Sequence, residues 1–325
     1  MSAISIKKDT FLKFALTLIA FAYGFFVADS LQTLYVSDSG DINDYVNFFE
    51  DTSKDVAVVW DIGSRNGVRI NGDTIFRVGV IYFSNYLNME VLSFLTLASF
   101  ITSTLVFLAC SLSMLSRKNI IILLPILLCI FLTPNVSNLF ASAIRSGIAF
   151  TILMLSMIYL RGYKLYIFFL LSSLIHLSMI PIIFFYFLYH TIRKLQIKSP
   201  FIVPFFLLVL VSFPMTLASF VLNFNITPTN SSIFFETFTL YLGLLVIFTN
   251  RKAIQNIYGF MSMGLILVYV SGLIIDISFL RYLGNVLVLY LLFLIKKGRV
   301  GTVQVFTIGY IPFFLLTSFY SIANF

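Results

Sequence analysis

Residues 91–118 read VLSFLTLASFITSTLVFLACSLSMLSRK, an apolar run that ends at the basic pair Arg117 and Lys118. The run is long enough to cross a bilayer as a helix and holds no charged residue before Arg117. The same arrangement recurs along the chain. Fifteen of the 21 Lys and Arg residues fall in short clusters beside apolar runs, and 12 of the 13 Asp and Glu residues fall on the opposite side. Because cytoplasmic loops are rich in basic residues, this pattern predicts a membrane topology with a cytoplasmic N-terminus.

The composition excludes a soluble domain. With 60% apolar and only 10% charged residues, the chain has too little polar surface to cover a globule in water. We therefore expect an all-α polytopic membrane protein, with residues 1–325 forming a single transmembrane domain. The net charge of +8 comes from clusters at the ends of apolar runs, so it does not indicate nucleic-acid binding. Cys110 and Cys129 lie inside apolar runs and predict neither a disulfide nor a metal site.

The apolar runs predict about nine full transmembrane helices. The first follows Lys7, Lys8 and Lys13, resembles a signal sequence and is long enough to span. The predicted spans lie near residues 11–28, 91–115, 120–133, 144–160, 201–222, 233–248, 258–275, 282–295 and 303–320.

A hairpin of two short helices is predicted at residues 165–192. Basic clusters flank this segment at both ends, so the chain should leave and re-enter on the cytoplasmic side. Its apolar run of about 28 residues gives roughly 42 Å of helix, too little for two full crossings. The turn is expected near His176–Pro181. The alternative is one long tilted helix with His176 near its middle.

The segment 29–89 is predicted to be an external loop. Asp41, Asp44 and Tyr45 follow helical spacing, which indicates a short interfacial helix with its acids facing water. Tyr45, Phe48 and Phe49 would then lie on the membrane surface. A second interfacial or re-entrant helix is expected around residues 75–87.

Six basic residues share the acidic side, where the charge rule gives no reason for them, and they are the functional lead. They are Lys54, Arg65, Arg69, Arg77, Arg145 and Arg281. A guanidinium within a helical bundle costs about 2.5–3.5 kcal/mol to insert, so Arg145, at the start of a predicted helix, needs a partner. An anionic ligand is one candidate for Arg145, and an ion pair with Asp276 or Glu236 is the other. Asp276 could equally hold Arg281, and Arg77 could extend to the membrane surface.

His176 has three possible roles: general base, phosphate ligand or buried structural histidine. The planar guanidinium of one arginine can bind two phosphate oxygens at once. A few arginines on the external side of the membrane therefore indicate a diphosphate ligand. The sequence contains no recognised metal-binding spacing and no glycine-rich nucleotide loop. No metal or cofactor is therefore expected.

Several of these residues also resemble motifs of EpsG-like and Wzy-type polysaccharide polymerases. The run Ile144–Ala149 is similar to the family's Arg-x-x-hydrophobic-Ala signature, and Ile175–Pro181 to its aromatic-His-x-Ser step, with Ile175 in place of the commoner Phe. The pair Asp44–Tyr45 and the step Phe279–Tyr282 also fit. The polar loop 51–73 departs from the family pattern and leaves the alignment of its acids and arginines open.

The resemblance implies a glycosyltransferase of the bacterial inner membrane. It would join undecaprenyl-diphosphate-linked repeat units into O-antigen or exopolysaccharide at the external face by inverting transfer, beside a flippase and a chain-length regulator. Its implied catalytic residues are Arg145 and Arg281 as diphosphate clamps and either His176 or Asp44 as base. The substrate-binding residues would be Arg65, Arg69, Arg77, Asp41, Tyr45 and Tyr282. A lipid-linked oligosaccharide flippase and an O-antigen ligase are the alternatives.

Overall fold

The computed structural model describes residues 2–37, 41–51, 72–115, 120–195, 255–274 and 281–297. Every regular element in these residues is helical, which confirms the all-α prediction. The elements in chain order are α1 (Ser2–Val36), α2 (Asp41–Asp51), α3 (Gly72–Tyr86), α4 (Val91–Leu115), α5 (Ile120–Phe131), α6 (Pro134–Ala141), α7 (Ile144–Tyr159), α8 (Tyr163–Ile175), a 3-10 turn (Leu177–Met179), α9 (Ile180–Lys194), α10 (Ile257–Ile274) and α11 (Arg281–Lys297).

The apolar runs located most of these helices well. The run at 91–115 coincides with α4, and α5, α7, α10 and α11 each begin within one residue of a predicted start. Helix α1 differs, because it continues past the exposed Asp29 to Val36, with Leu31 extending its buried face. The predicted spans at 201–222, 233–248 and 303–320 lie outside the described residues.

Two of the described helices are long and apolar enough to cross a membrane, namely Thr10–Val36 and Val91–Leu115. A third span results if the bent pair Leu123–Phe131 and Asn135–Ala141 counts as one. The chain is therefore a helical membrane protein, and the number of nine full spans stays a prediction. Helix α7, with 16 residues, is only about 24 Å long and falls short of a hydrocarbon core of about 30 Å.

The chain divides into two compact units, residues 1–116 with 137–180 and residues 117–136 with 181–325. In the first unit α1 packs along α4. A Cβ on Gly24 would collide with the side chains of Thr104 and Phe100, so the two helices touch through a glycine. Tyr23 stacks on Phe107 with ring centroids 5.3 Å apart. Helix α4 also contacts α3 and α7, and α8 contacts both α3 and α7.

Helix α2 exists where an interfacial helix was predicted, but the prediction that Tyr45 and Phe49 lie on the membrane surface was wrong. Tyr45 and Phe49 are only 5% and 0% exposed, and Ile42 and Val46 are buried beside them. This apolar face packs on protein, since α2 contacts α1 and α4. The helical period places apolar residues on one face and leaves open whether lipid or protein covers that face. The side chain of Phe48 lies outside the described part.

The predicted break near His176 is confirmed. Helix α8 ends at Ile175, the 3-10 turn follows, and α9 begins at Ile180. Whether the chain reverses there to form a hairpin stays a prediction. In the second unit α10 packs on α11, and the Ser262 hydroxyl donates to the Val286 carbonyl at 3.2 Å.

Candidate functional site

Arg145 lies in the first turn of α7, as predicted, and small residues hold this turn close to its neighbours. A Cβ added to Gly147 would lie 2.5 Å from the Leu139 carbonyl oxygen and 3.2 Å from the Phe140 Cα. The buried Ser99 hydroxyl of α4 donates to the Phe140 carbonyl at 2.8 Å. The half-buried Arg145 therefore projects from a helix start that is fixed against α6 and linked through α6 to α4.

Helices α7 and α8 form an antiparallel pair, because only the three residues Leu160–Gly162 connect them. Gly162 makes the turn possible with a φ of +62°. Toward the end of the pair away from this turn, the buried Ser172 hydroxyl donates to the Ala149 carbonyl at 2.8 Å.

This hydrogen bond sets the register of the pair. Arg145 lies four residues before Ala149, and His176 lies four residues after Ser172, so each is about 6 Å further toward the same end. The contact between α7 and the 3-10 turn agrees with this register. The fold thus brings Arg145 and His176, which are 31 positions apart in the sequence, to one end of one helix pair.

His176 has a defined backbone role. Its backbone is extended, with φ −151° and ψ 117°, and its side chain caps the 3-10 turn. The ring Nδ1 accepts the backbone N–H of Ser178 at 3.1 Å. In a neutral imidazole an accepting Nδ1 places the proton on Nε2. Nε2 is then a donor suited to a phosphate oxygen, and it is poorly suited to remove a proton from a hydroxyl.

Ser178 is the serine of the His-x-Ser step in the sequence, but it was not among the predicted site residues. Its Oγ is buried and has no hydrogen-bond partner in the structure. An unsatisfied buried hydroxyl costs about 1–3 kcal/mol, so it is usually found where another group completes it. Its position in the turn that His176 caps puts this hydroxyl at the same end of the α7–α8 pair. The available signals were the His-x-Ser step and the polar residue within a predicted helix break.

Arg77 engages α2. Its guanidinium carbon lies 5.5 Å from the centroid of the Tyr45 ring, within cation–π range. Tyr45 also meets Phe76 edge to face, at 5.3 Å between centroids. Arg77 is half-buried on α3, and α3 contacts α8, the helix that leads to His176. Arg77 therefore contacts α2 through Tyr45, and the predicted substrate-binding role of both residues stays a prediction.

The other predicted site residues are less closely defined. Asp41 and Asp44 lie in α2, and Arg281 and Tyr282 open α11, but their side chains lie outside the described part. Arg65 and Arg69, with the alternative ion-pair partners Glu236 and Asp276, lie outside the described residues altogether. Arg281 belongs to the second unit and Arg145 to the first. The convergence of these two arginines stays a prediction.

One turn after Arg281, Asn285 is 1% exposed and its Oδ1 has no hydrogen-bond partner. The side chains that the structure describes contain no group of three or more His, Cys, Asp or Glu residues able to hold a metal ion.

Comparison with known proteins gave no matching family model, no matching curated protein and no matching solved structure.

Proposed function

We propose that this chain is a membrane glycosyltransferase that polymerises undecaprenyl-diphosphate-linked oligosaccharide repeat units into O-antigen or exopolysaccharide. The reaction takes place at the outer face of the bacterial inner membrane. The observation that carries the proposal is the register of α7 and α8, which sets Arg145 and His176 at one end of a packed helix pair. The basic cluster Arg161 and Lys164 lies at the other end, so the charge rule assigns the Arg145 end to the outside.

The chemistry suits these groups. The acceptor sugar hydroxyl attacks the anomeric carbon of the donor, the bond from that carbon to the lipid diphosphate breaks, and a base takes the hydroxyl proton. Because a diphosphate is already a good leaving group, the reaction needs stabilisation of the developing negative charge more than it needs an acid. Arg145 supplies a forked cation for the phosphate oxygens. His176 supplies the Nε2–H, and Ser178 supplies a hydroxyl.

The hydrogen bond at Nδ1 of His176 bears on the choice of base. Because an Nδ1 that accepts this bond favours the tautomer with its proton on Nε2, we assign the base role to Asp44 and make His176 a ligand of the diphosphate. Arg281 and Tyr282 of α11, Asp41 of α2, and Arg65 and Arg69 remain proposed substrate ligands. The proposal involves no metal ion. A flippase would deliver the substrate, and a chain-length regulator would act on the product.

Substitution of Arg145 tests the function. A deletion strain of the source bacterium is complemented with wild type, Arg145→Ala or Arg145→Lys, and its lipid-linked saccharides and surface polysaccharide are separated by size. We expect Arg145→Ala to slow chain growth by about 100-fold or more, with single repeats accumulating outside. Arg145→Lys should restore it only partly, because an ammonium lacks the planar fork.

Lys164→Ala is the matched control, since it removes an exposed cation from the opposite end of the same helix pair. It should leave chain length unchanged. Normal chain length in Arg145→Ala would reject the clamp. In the deletion strain itself, repeats trapped inside would indicate a flippase, and long chains not joined to lipid A would indicate a ligase.

A further inference from the structure

Two tyrosines at the end of α3 present nearly parallel rings to the surroundings. Tyr82 is 56% exposed and Tyr86 is 77% exposed. Their ring centroids lie 6.4 Å apart and their planes differ by 9°. One helical turn separates the two residues, so the backbone itself sets this spacing.

A hydrogen-bonded turn follows the two tyrosines. The backbone N–H groups of Leu87, Asn88 and Met89 donate to carbonyls of the last turn of α3 at 2.9–3.1 Å. Asn88 adopts a φ of +52°, a conformation that asparagine tolerates better than most residues. Phe83 lies nearly parallel to Phe94 of α4, with planes 5° apart. The tyrosine pair therefore lies on a helix end that is hydrogen-bonded to the following turn and packed on α4.

Exposed polar residues accompany the two tyrosines. Asn85 lies between them on α3, and Asn88 and Glu90 follow α3 before α4 begins. Amide and carboxylate groups beside exposed aromatic faces suit a ligand with an apolar face and hydroxyl groups at its edge. A pyranose ring has this character, because its C–H face is apolar and its hydroxyls lie around the rim.

The turn between α3 and α4 lies further toward the outer side than the end of the α7–α8 pair that carries Arg145. The Ser99–Phe140 hydrogen bond and the Gly147 contact put the start of α7 level with Ser99 of α4. Val91, where the turn joins α4, is eight residues before Ser99, or about 12 Å further out along the helix. A saccharide attached to a diphosphate at Arg145 and extending away from the membrane would reach this level.

We propose that Tyr82 and Tyr86 form a platform that binds sugar rings of the lipid-linked substrate, with Asn85, Asn88 and Glu90 as hydrogen-bonding partners. This inference rests on the proposed function. The rings cover the C–H faces of the sugars by the hydrophobic effect.

Binding of a soluble saccharide tests the platform independently of polymerisation. The probe is the repeat-unit oligosaccharide released by mild acid from the lipid diphosphate of the same bacterium. It is titrated by NMR against the full chain in lipid nanodiscs. We expect Tyr82→Ala and Tyr86→Ala each to weaken binding about tenfold. The Tyr→Phe variants, which keep the rings, should bind within about threefold of wild type.

Tyr163→Ala is the matched control. Tyr163 is 70% exposed, lies outside the platform and begins α8 at the end away from His176. Arg145→Ala should retain saccharide binding while losing chain growth. The experiment therefore tests the platform separately from the diphosphate-binding role of Arg145. Wild-type affinity in both Tyr→Ala variants would overturn the platform. The platform is equally overturned if those variants alter only the membrane depth of α3, measured by depth-dependent quenching, since the rings would then be an interfacial aromatic anchor.

Discussion

His176 combines a structural contact with a proposed chemical one, and the two can be separated. Asparagine is among the best N-cap residues, and its side-chain oxygen can accept the Ser178 N–H that Nδ1 accepts now. We therefore expect His176→Asn to keep the 3-10 turn and the thermal stability of the protein. Chain growth should still fall by about 100-fold, because asparagine places no donor where Nε2–H lies.

His176→Ala is the comparison, and it should lose stability by about 1 kcal/mol as well as activity. Thermal unfolding in detergent gives the stability, and the length of the polysaccharide gives the activity. Full activity in the asparagine variant would show that His176 only caps the turn and that the arginines bind the diphosphate without it.

The sequence predicted where Arg145 and His176 lie more securely than what they contact. Charge asymmetry singled out Arg145 together with five other basic residues, and the helix break at His176 followed from the length of its apolar run. The bond at Nδ1 depends on the backbone angles of the break, which no local pattern encodes. Tyr45 illustrates the same limit, because it belongs to an amphipathic helix whose apolar face packs on protein.

At the scale of elements, the closest approach in the site is that of α6 to α7. An added methyl group on Gly147 would meet backbone atoms of Leu139 and Phe140, which cannot rotate away as a flexible side chain can. We expect Gly147→Ala to destabilise the protein by about 1–3 kcal/mol, measured by thermal unfolding in detergent. The shifted start of α7 should also lower activity.

Gly79 of α3 provides the control, since nothing lies within 4 Å of a Cβ built there. Gly79→Ala should be neutral or raise stability by up to about 1 kcal/mol, because alanine favours the helix. Equal thermal stability of the two alanine variants would show that α6 moves enough to accommodate the added methyl group.

Long apolar runs in the sequence predicted most of the helices, but the short polar helix α6 was not predicted. Helix α4 was delimited by its flanking charges, whereas α6 is only eight residues long and has Ser and Asn among its residues. Pro134 at its first position was the available signal, since proline is favoured there. A helix of this length is stabilised by tertiary contacts such as Ser99 to Phe140, and these cannot be read from local propensity.

At the scale of the whole molecule, the outer position of the site depends on the path of the chain through 163–195. Helices α8 and α9 have 13 and 15 residues, or about 20 Å and about 22 Å of helix. Each is too short to cross about 30 Å of hydrocarbon, and basic residues flank the segment at both ends. Both observations favour an excursion that returns to the cytoplasmic side.

Single cysteines report this path. In a Cys110→Ala/Cys129→Ala background, cysteine replaces the exposed Lys164, Leu177 or Leu195 in turn. We expect a membrane-impermeant thiol reagent added outside intact cells to label Leu177→Cys, and the other two to react only after permeabilisation. External labelling of Leu195→Cys would mean one full crossing, and every later basic cluster would then lie outside. That result would also move the start of α11 and Arg281 to the cytoplasmic side, away from Arg145, and a shared diphosphate site would be impossible.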